Sequence, residues 1–246
     1  MASEADILLM LSMSAEFDSI KFREEESKEL FLLAEQSPCQ IAGDLESKQG
    51  KANVLLQAFI SKAKVTNSAL ISDCNYIAQN SIRICRALFL IGLNKKWGVF
   101  TQVMLELCKS IEKKVWNFDH PLAQFDINGQ FLKILRHKKI AMTNLFELSS
   151  SEVGDLIRNK SAGPKIYQLI RNFPKLLLSS ELYPISSQII RIKTSILTDF
   201  KWNKQLHGNM LHFWVMVEEA GESTILHSEK FILNFQNYRS EQYLDF

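Results

Sequence analysis

The 246-residue sequence contains no GxxxxGK[ST] loop to cradle nucleotide phosphates, no GxGxxG turn, and neither HExxH nor GxSxG. The readiest routes to a P-loop nucleotidase, a dinucleotide-dependent enzyme, a zinc peptidase or a serine hydrolase are therefore missing. The four cysteines, Cys39, Cys74, Cys85 and Cys108, form no CxxC pair and have no zinc spacing with the five histidines. They are expected as reduced core thiols of an intracellular protein, with no metal site. Lone histidines such as His137 and His227 read as surface or hydrogen-bonded core residues. No catalytic residue is expected. The longest apolar run, residues 87–93, is too short to span a bilayer. The apolar stretch at 7–13 follows Glu4 and Asp6, where a signal peptide would carry positive charge. It reads as the first turns of a core helix, and no membrane partner is expected.

What is present describes a soluble globular chain, 46% hydrophobic and 23% charged. Its length exceeds one small core, so two domains, or one with an appendage, are expected. Net charge is only +2 but unevenly placed. Residues 1–50 hold 4 basic and 11 acidic side chains, whereas residues 51–140 hold 14 basic and 5 acidic. Such a local basic excess attracts polyanions even when the whole chain is near neutral.

The expected fold is mostly α with a C-terminal β part. Residues 1–119 read as a helical bundle. Glu24 to Leu33 form an amphipathic helix with "REEE" (23–26) as its solvated acidic start. "KANVLLQAFISKAK" carries a helical face of Val54, Leu55, Ala58 and Ile60. Ser72 or Asp73 is expected to cap a long helix over 73–97, with a bend at Gly98 and another helix beyond. Residues 120–178 read as short helices around a helix–hairpin–helix. A capping box runs from Ser149 to Glu152, and Pro164 stands at the first turn of "PKIYQLIRNF". From Tyr183 the period switches to two: Ile190, Ile192, Thr194 and Ile196, then Leu211, Phe213, Val215 and Val217, then Phe231, Leu233 and Phe235. Residues 179–246 thus read as an incomplete fibronectin-type-III-like β-sandwich, of a fragment or truncated form, with an exposed edge.

Two features invite chemistry. On the long helix, Gln79, Arg83, Arg86, Leu90, Asn94 and Trp97 fall on one stripe, opposite Ile77, Ile84, Leu88 and Ile91 as the core face. Two fixed cations, hydrogen-bonding side chains and an indole suit single-stranded RNA or DNA, with arginines on phosphates and the ring on a base. The other reading pairs both arginines with the acidic N-terminal segment or with water, and plugs the core with Trp97. The hairpin turn "NKSAGPK" sets Gly163 at a helix start between Lys160 and Lys165, a place to hold a phosphate or simply a packing turn.

Several segments together carry a family resemblance: "EFDSIKFREEE" (16–26), "NVLLQAFIS" (53–61), "ISDCNYIAQNSIRICRALF" (71–89), "PLAQF" (121–125), "FKWNKQLHG" (200–208) and "HSEKF" (227–231). In that order the chain resembles the auxiliary unit that follows the winged helix in superkiller-like superfamily-two helicases of the double-cassette type, a unit named for its similarity to a Sec-type translocon component. "EFDSIK" and "ISD…YIAQN" resemble most the first cassette of the helicase subunit of the activating signal cointegrator complex. "NVLLQAFIS" and "RNFPKL" fit the spliceosomal unwinding helicase equally well. The resemblance implies a ratchet helix touching the translocating strand through Gln79, Arg83, Arg86, Asn94 and Trp97. It implies RecA-like and winged-helix domains and other complex subunits as partners. It also implies ATP and magnesium bound only in the RecA-like domains, three-prime to five-prime translocation by the parent, and a nuclear and cytoplasmic location. The implied settings are ribosome quality control, alkylation repair and transcriptional coactivation. A protein–protein interaction scaffold without nucleic-acid contact is the alternative from a different class.

Overall fold

A computed structural model describes residues 3–41 and 43–246. The chain divides into two compact units, residues 1–126 and 127–246. The first holds helices α1 (Glu4–Ser12), α2 (Ser27–Glu35), α3 (Lys48–Ile60), α4 (Ser68–Asn94) and α5 (Gly98–Lys113). The second holds α6 (Gly129–His137), α7 (Met142–Phe146), α8 (Ser150–Leu156), α9 (Gly163–Arg171) and α10 (Lys204–His207). It also holds β1 (Leu176–Pro184), β2 (Ile190–Thr198), β3 (Met210–Glu218), β4 (Ile225–Asn234) and β5 (Gln242–Asp245).

In the first unit α3 is the axis of the core. It is buried from Gly50 to Ala58 and again at Ile60, with Lys51, Asn53 and Gln57 included. A helix enclosed on all sides has no solvent stripe, which is why the four-residue face read from sequence understates its burial. Most of its buried polar groups are tied off internally, the Asn53 side-chain nitrogen excepted. Gln57 accepts from the Cys39 amide at 2.9 Å and donates to the Cys39 carbonyl and to Asn53 Oδ1, fixing the loop after α2. Around Lys51, wholly buried, the ammonium donates to Glu26 (2.5 Å), Asp73 (2.7 Å) and the Lys21 carbonyl (2.9 Å). Arg23 joins the same two carboxylates from the outer side. "REEE" is therefore not wholly a solvated start. Glu24 and Glu25 are exposed, but Glu26 is buried, because Lys51 needs a counter-charge inside. Those three glutamates form a 3-10 turn, and α2 begins only at Ser27.

Helix α4 starts earlier than the sequence indicates. Asn67 Oδ1 accepts from the amides of Ala69 and Leu70 and caps it. Ser72 and Asp73 lie inside the helix, and Asp73 serves the buried lysine instead. The inward line is Leu70, Cys74, Ile77, Ala78, Ser81, Cys85, Phe89 and Gly92. Ile84 and Leu88 pack partly against the core, while Ile91, expected there, is exposed. After Asn94 the chain turns through Lys96 in the left-handed region (φ 60°) into α5. Gly92 permits that tight corner: a Cβ there would lie 2.5 Å from Thr101 Oγ1 and 3.1 Å from Phe100. Among the described residues, those other than glycine with positive φ are Lys62, Lys96, Lys114, Lys139 and Arg158. Each follows the end of a helix and each is basic. All four cysteines are unbridged, three of them buried, and burial pushes the Cys74 thiol up to about 11.

In the second unit the capping box forms as read, with Ser149 Oγ accepting from the Glu152 amide and Glu152 accepting from the Ser149 amide. Pro164 sits in the first turn of α9. Gly163 is buried, and an added Cβ would stand 2.8 Å from both Gly154 Cα and the Ser150 carbonyl oxygen. The two helices meet backbone to backbone at this point. Asp199 ties α9 to the strands, receiving Lys175 at 2.7 Å and Arg171 at 3.3 Å.

The strands make two antiparallel sheets, β1-β2-β5 and β3-β4. They share a core of Ile196, Phe231 and Leu233, with Leu211, Phe213, Val215 and Leu244 beside it. "FKWNKQLHG" builds an aromatic corner, with Trp202 5.1 Å from the Tyr238 ring and its indole N–H donating to the Gly208 carbonyl. Strand β1 begins at Leu176, ahead of the period-two signal. Exposed nearly throughout, it has no alternation to betray it. Leu178 and Leu182 are each 64% exposed on the face that carries the buried Ile196 and Thr194 of β2.

Removing one partner of a buried ion pair leaves the other charge stranded, at a cost of about 3–5 kcal/mol. Lys51→Met is expected to lose stability on that scale in urea unfolding, and Lys51→Met/Glu26→Leu to recover most of it. Gly163→Ala, whose methyl group meets backbone on two sides, is expected to cost about 1–3 kcal/mol, read as a lower Tm with faster amide exchange in α8 and α9. Hydrogen bonding from Lys175, then the charges of Lys175 and Arg171, hold the Asp199 carboxyl below the usual range. A lowered folded value means this stabilisation is complete above the ordinary pKa of about 3.9 and is lost as pH falls through the folded value. Asp199→Asn is therefore expected to be less stable than wild type at neutral pH, with the two unfolding curves converging at acid pH.

Candidate functional site

The stripe lies along the outer side of α4. Gln79, Arg83, Arg86, Leu90 and Asn94 are all exposed. From Arg83 to Asn94 the line extends roughly 17 Å at 1.5 Å per residue. Trp97 stands just past the helix, at the corner that Gly92 allows. Its amide donates to the Gly92 carbonyl at 3.0 Å, and its own carbonyl accepts from the Thr101 amide and hydroxyl. The indole is 53% exposed rather than plugging the core, and Phe100 meets it edge-on at 5.9 Å. Lys95 and Lys96 are exposed beside it.

Neither arginine is bare. Arg83 Nη2 lies 2.6 Å from Glu16, on the 3-10 turn Ala15–Phe17, and 3.3 Å from Asn80 Oδ1. Tyr76 holds that turn against α4 by donating to the Glu16 carbonyl at 3.0 Å. Arg86 pairs with Glu112 of α5. The two arginine side chains are 62% and 65% exposed, so these are surface ion pairs, each worth at most about 1 kcal/mol. The pairing of Arg83 with the acidic N-terminal segment is what the packing alternative expects. The exposed indole is what the strand-contact alternative expects.

Glu16, Glu112 and Phe100 escaped sequence reasoning. Phe100 was within reach, three residues beyond Trp97. The carboxylates were not, since Glu16 lies 67 positions before Arg83 and Glu112 lies 26 after Arg86. The arrangement can form charge-assisted hydrogen bonds from two planar guanidiniums, amide hydrogen bonds from Gln79 and Asn94, and stacking on Trp97.

The hairpin residues lie in the second unit. Lys160 is exposed, 3.8 Å from Asp155, and Lys165 is exposed on the first turn of α9. Gly163 between them is buried in the contact with α8. Asn159 closes the turn, its Oδ1 accepting from the Ala162 amide at 3.1 Å and from Ser161. Among the described residues, no group of three or more His, Cys, Asp or Glu is arranged to hold a metal, and no helix is long and apolar enough to cross a membrane.

The family model of the Sec63 Brl domain matches residues 1–246. Among curated relatives, the chain is 52% identical over its whole length to the RQC trigger complex helicase SLH1 of Saccharomyces cerevisiae. It is 37% identical over 99% of its length to the U5 small nuclear ribonucleoprotein 200 kDa helicase of Homo sapiens. Over 94% of its length it is 38% identical to the human activating signal cointegrator 1 complex subunit 3. The last two identities do not separate the spliceosomal type from the cointegrator type. The chain spans only 11–12% of the length of these relatives. With the family model matched from end to end, the chain belongs to the Sec63 Brl domain family, an accessory part of helicases.

Proposed function

We propose that the chain is a non-catalytic module of an ATP-dependent nucleic-acid helicase, contacting the translocating single strand through the outer face of α4 and bracing the cassette. The observation that carries this reading is the exposed line from Gln79 to Trp97, with an indole left in solvent at its end. Trp97 is about half exposed with Phe100 edge-on against it, and an exposed indole can stack on a base. In this reading ATP and magnesium are bound by RecA-like domains outside the chain, and those domains and a winged helix are its partners, with other complex subunits. The parent acts in the nucleus and cytoplasm, in ribosome quality control, alkylation repair and transcriptional coactivation. The similarity to a U5 helicase supports the spliceosomal equivalent as the alternative parent. Lys160 and Lys165, flanking Gly163, form a secondary phosphate contact.

A protein-interaction scaffold is the second reading, favoured by the ion pairs that occupy Arg83 and Arg86. The two are separated by the salt dependence of binding to fluorescent single-stranded RNA and DNA. Replacing both arginines by alanine is expected to weaken binding and to flatten the log–log salt slope by up to about 1.4, two charges at roughly 0.7 each. Trp97→Ala is expected to lose about 1–3 kcal/mol of affinity with the slope unchanged. Variants that bind as wild type does would leave the scaffold.

A further inference from the structure

The outer face of α4 is basic in sequence but locally neutralised in three dimensions, and the neutralising groups come from its two flanks. Glu16 reaches Arg83 from the N-terminal turn, and Glu112 reaches Arg86 from α5. Both carboxylates are partly exposed, at 41% and 35% of their side-chain surface. Neither is needed for burial, unlike Glu26, which Lys51 encloses. At the other end of the stripe, Lys95 and Lys96 have no ion pair among the described residues. A phosphate arriving at the centre of the stripe therefore meets guanidiniums already occupied by carboxylates, whereas one arriving beside Trp97 meets unoccupied ammonium groups.

We propose that Glu16 and Glu112 set the affinity of the stripe by exchange. Each holds its arginine outstretched along the face and is displaced when a strand phosphate takes the guanidinium. The exchange is feasible because an exposed ion pair contributes little, while the planar guanidinium offers phosphate a bidentate fork. It also makes binding less responsive to salt. Each freed carboxylate ends beside a polyanion and gathers a cation, offsetting part of the counterion release that drives association. Strand contact is thereby weak by construction at the arginines, as suits a contact that must be broken and remade along a moving strand. This inference rests on the strand-contacting reading of the stripe.

The test uses the full 246-residue chain with fluorescent oligo(U) and oligo(dT) across a salt series. Glu16→Gln/Glu112→Gln is expected to bind more tightly at low salt, by about two- to fivefold per carboxylate, with a steeper salt slope. The gain should vanish when Arg83 and Arg86 are both alanine, since it acts through them. Glu24→Gln/Glu25→Gln makes the same charge change at exposed residues and should give little gain. Unchanged or weaker binding in the glutamine pair, a gain that persists without the arginines, or an equal gain in the Glu24/Glu25 control overturns the exchange. If the arginines matter but the glutamates do not, only this inference fails. If the alanine pair binds as wild type does, the strand-contacting reading itself fails. Should wild type bind nothing while the glutamine pair binds, the exchange is supported in its strongest form. If neither binds, both ideas fall.

Discussion

A single ammonium group, that of Lys51, organises the helical unit. Burying it on the axis of α3 is tolerable only because two carboxylates and a carbonyl surround it, and those acceptors come from two separate stretches of chain. Glu26 and the Lys21 carbonyl bring the segment before α2 inward, and Asp73 brings the first turns of α4. A charge that must be met from several directions fixes the relative placement of the elements that meet it more narrowly than apolar contact does. Alternative packings of the same oily surfaces would strand it. The segments that carry the family resemblance, "EFDSIKFREEE" and "ISDCNYIAQN", converge here, with "NVLLQAFIS" starting two residues beyond the lysine.

Helix α4 is consequently anchored near both ends, by Asp73 on Lys51 at the start and by the close approach of Gly92 to Thr101 at the finish. Between these anchors its inner line sets the small side chains of Cys74, Ala78, Ser81 and Cys85 beside Ile77 and Phe89, and the small ones let it lie close on the core. The outer line is then presented as one edge of a continuous helix. The functional reading depends on that presentation more than on any one side chain, because a strand contact needs its cations and its ring held in register.

Much of this architecture was legible in the sequence. The change from helical to alternating period, the capping box at Ser149 and the polar stripe of α4 are all local patterns. Non-local demands were not legible. Glu26 reads as one of three equivalent surface glutamates, and only Lys51, 25 residues on, makes it a core residue. Asp73 reads as a cap because short acidic residues favour helix starts, yet Asn67 had already begun the helix. Ile91 reads as core by composition, but Phe89 and Gly92 hold the inward positions. Strand β1, solvated on both faces, lacks the contrast from which a strand is read. At the candidate site the arginines, the indole and a pairing with the acidic N-terminal segment were visible, but Glu112, and Glu16 as the particular partner, were not, since pairing across elements leaves no periodic trace.

The left-handed residues at the helix ends bear on how the molecule acquires its charge. Lys62, Lys96, Lys114, Lys139 and Arg158 occupy a backbone conformation that glycine adopts freely and other residues only with strain. A basic side chain at a helix C-terminus is favoured by the helix dipole, and two of these lysines do more. Lys62 donates to the Ala123 carbonyl, and Lys114 lies 4.1 Å over the ring of Phe59. Four of the five fall within the positive middle third of the chain. The basic character of this region is thus written partly into its turns, at the positions where glycine would relax the backbone. A family member that replaced them with glycine would gain ease of turning and lose four of the fourteen basic side chains of residues 51–140.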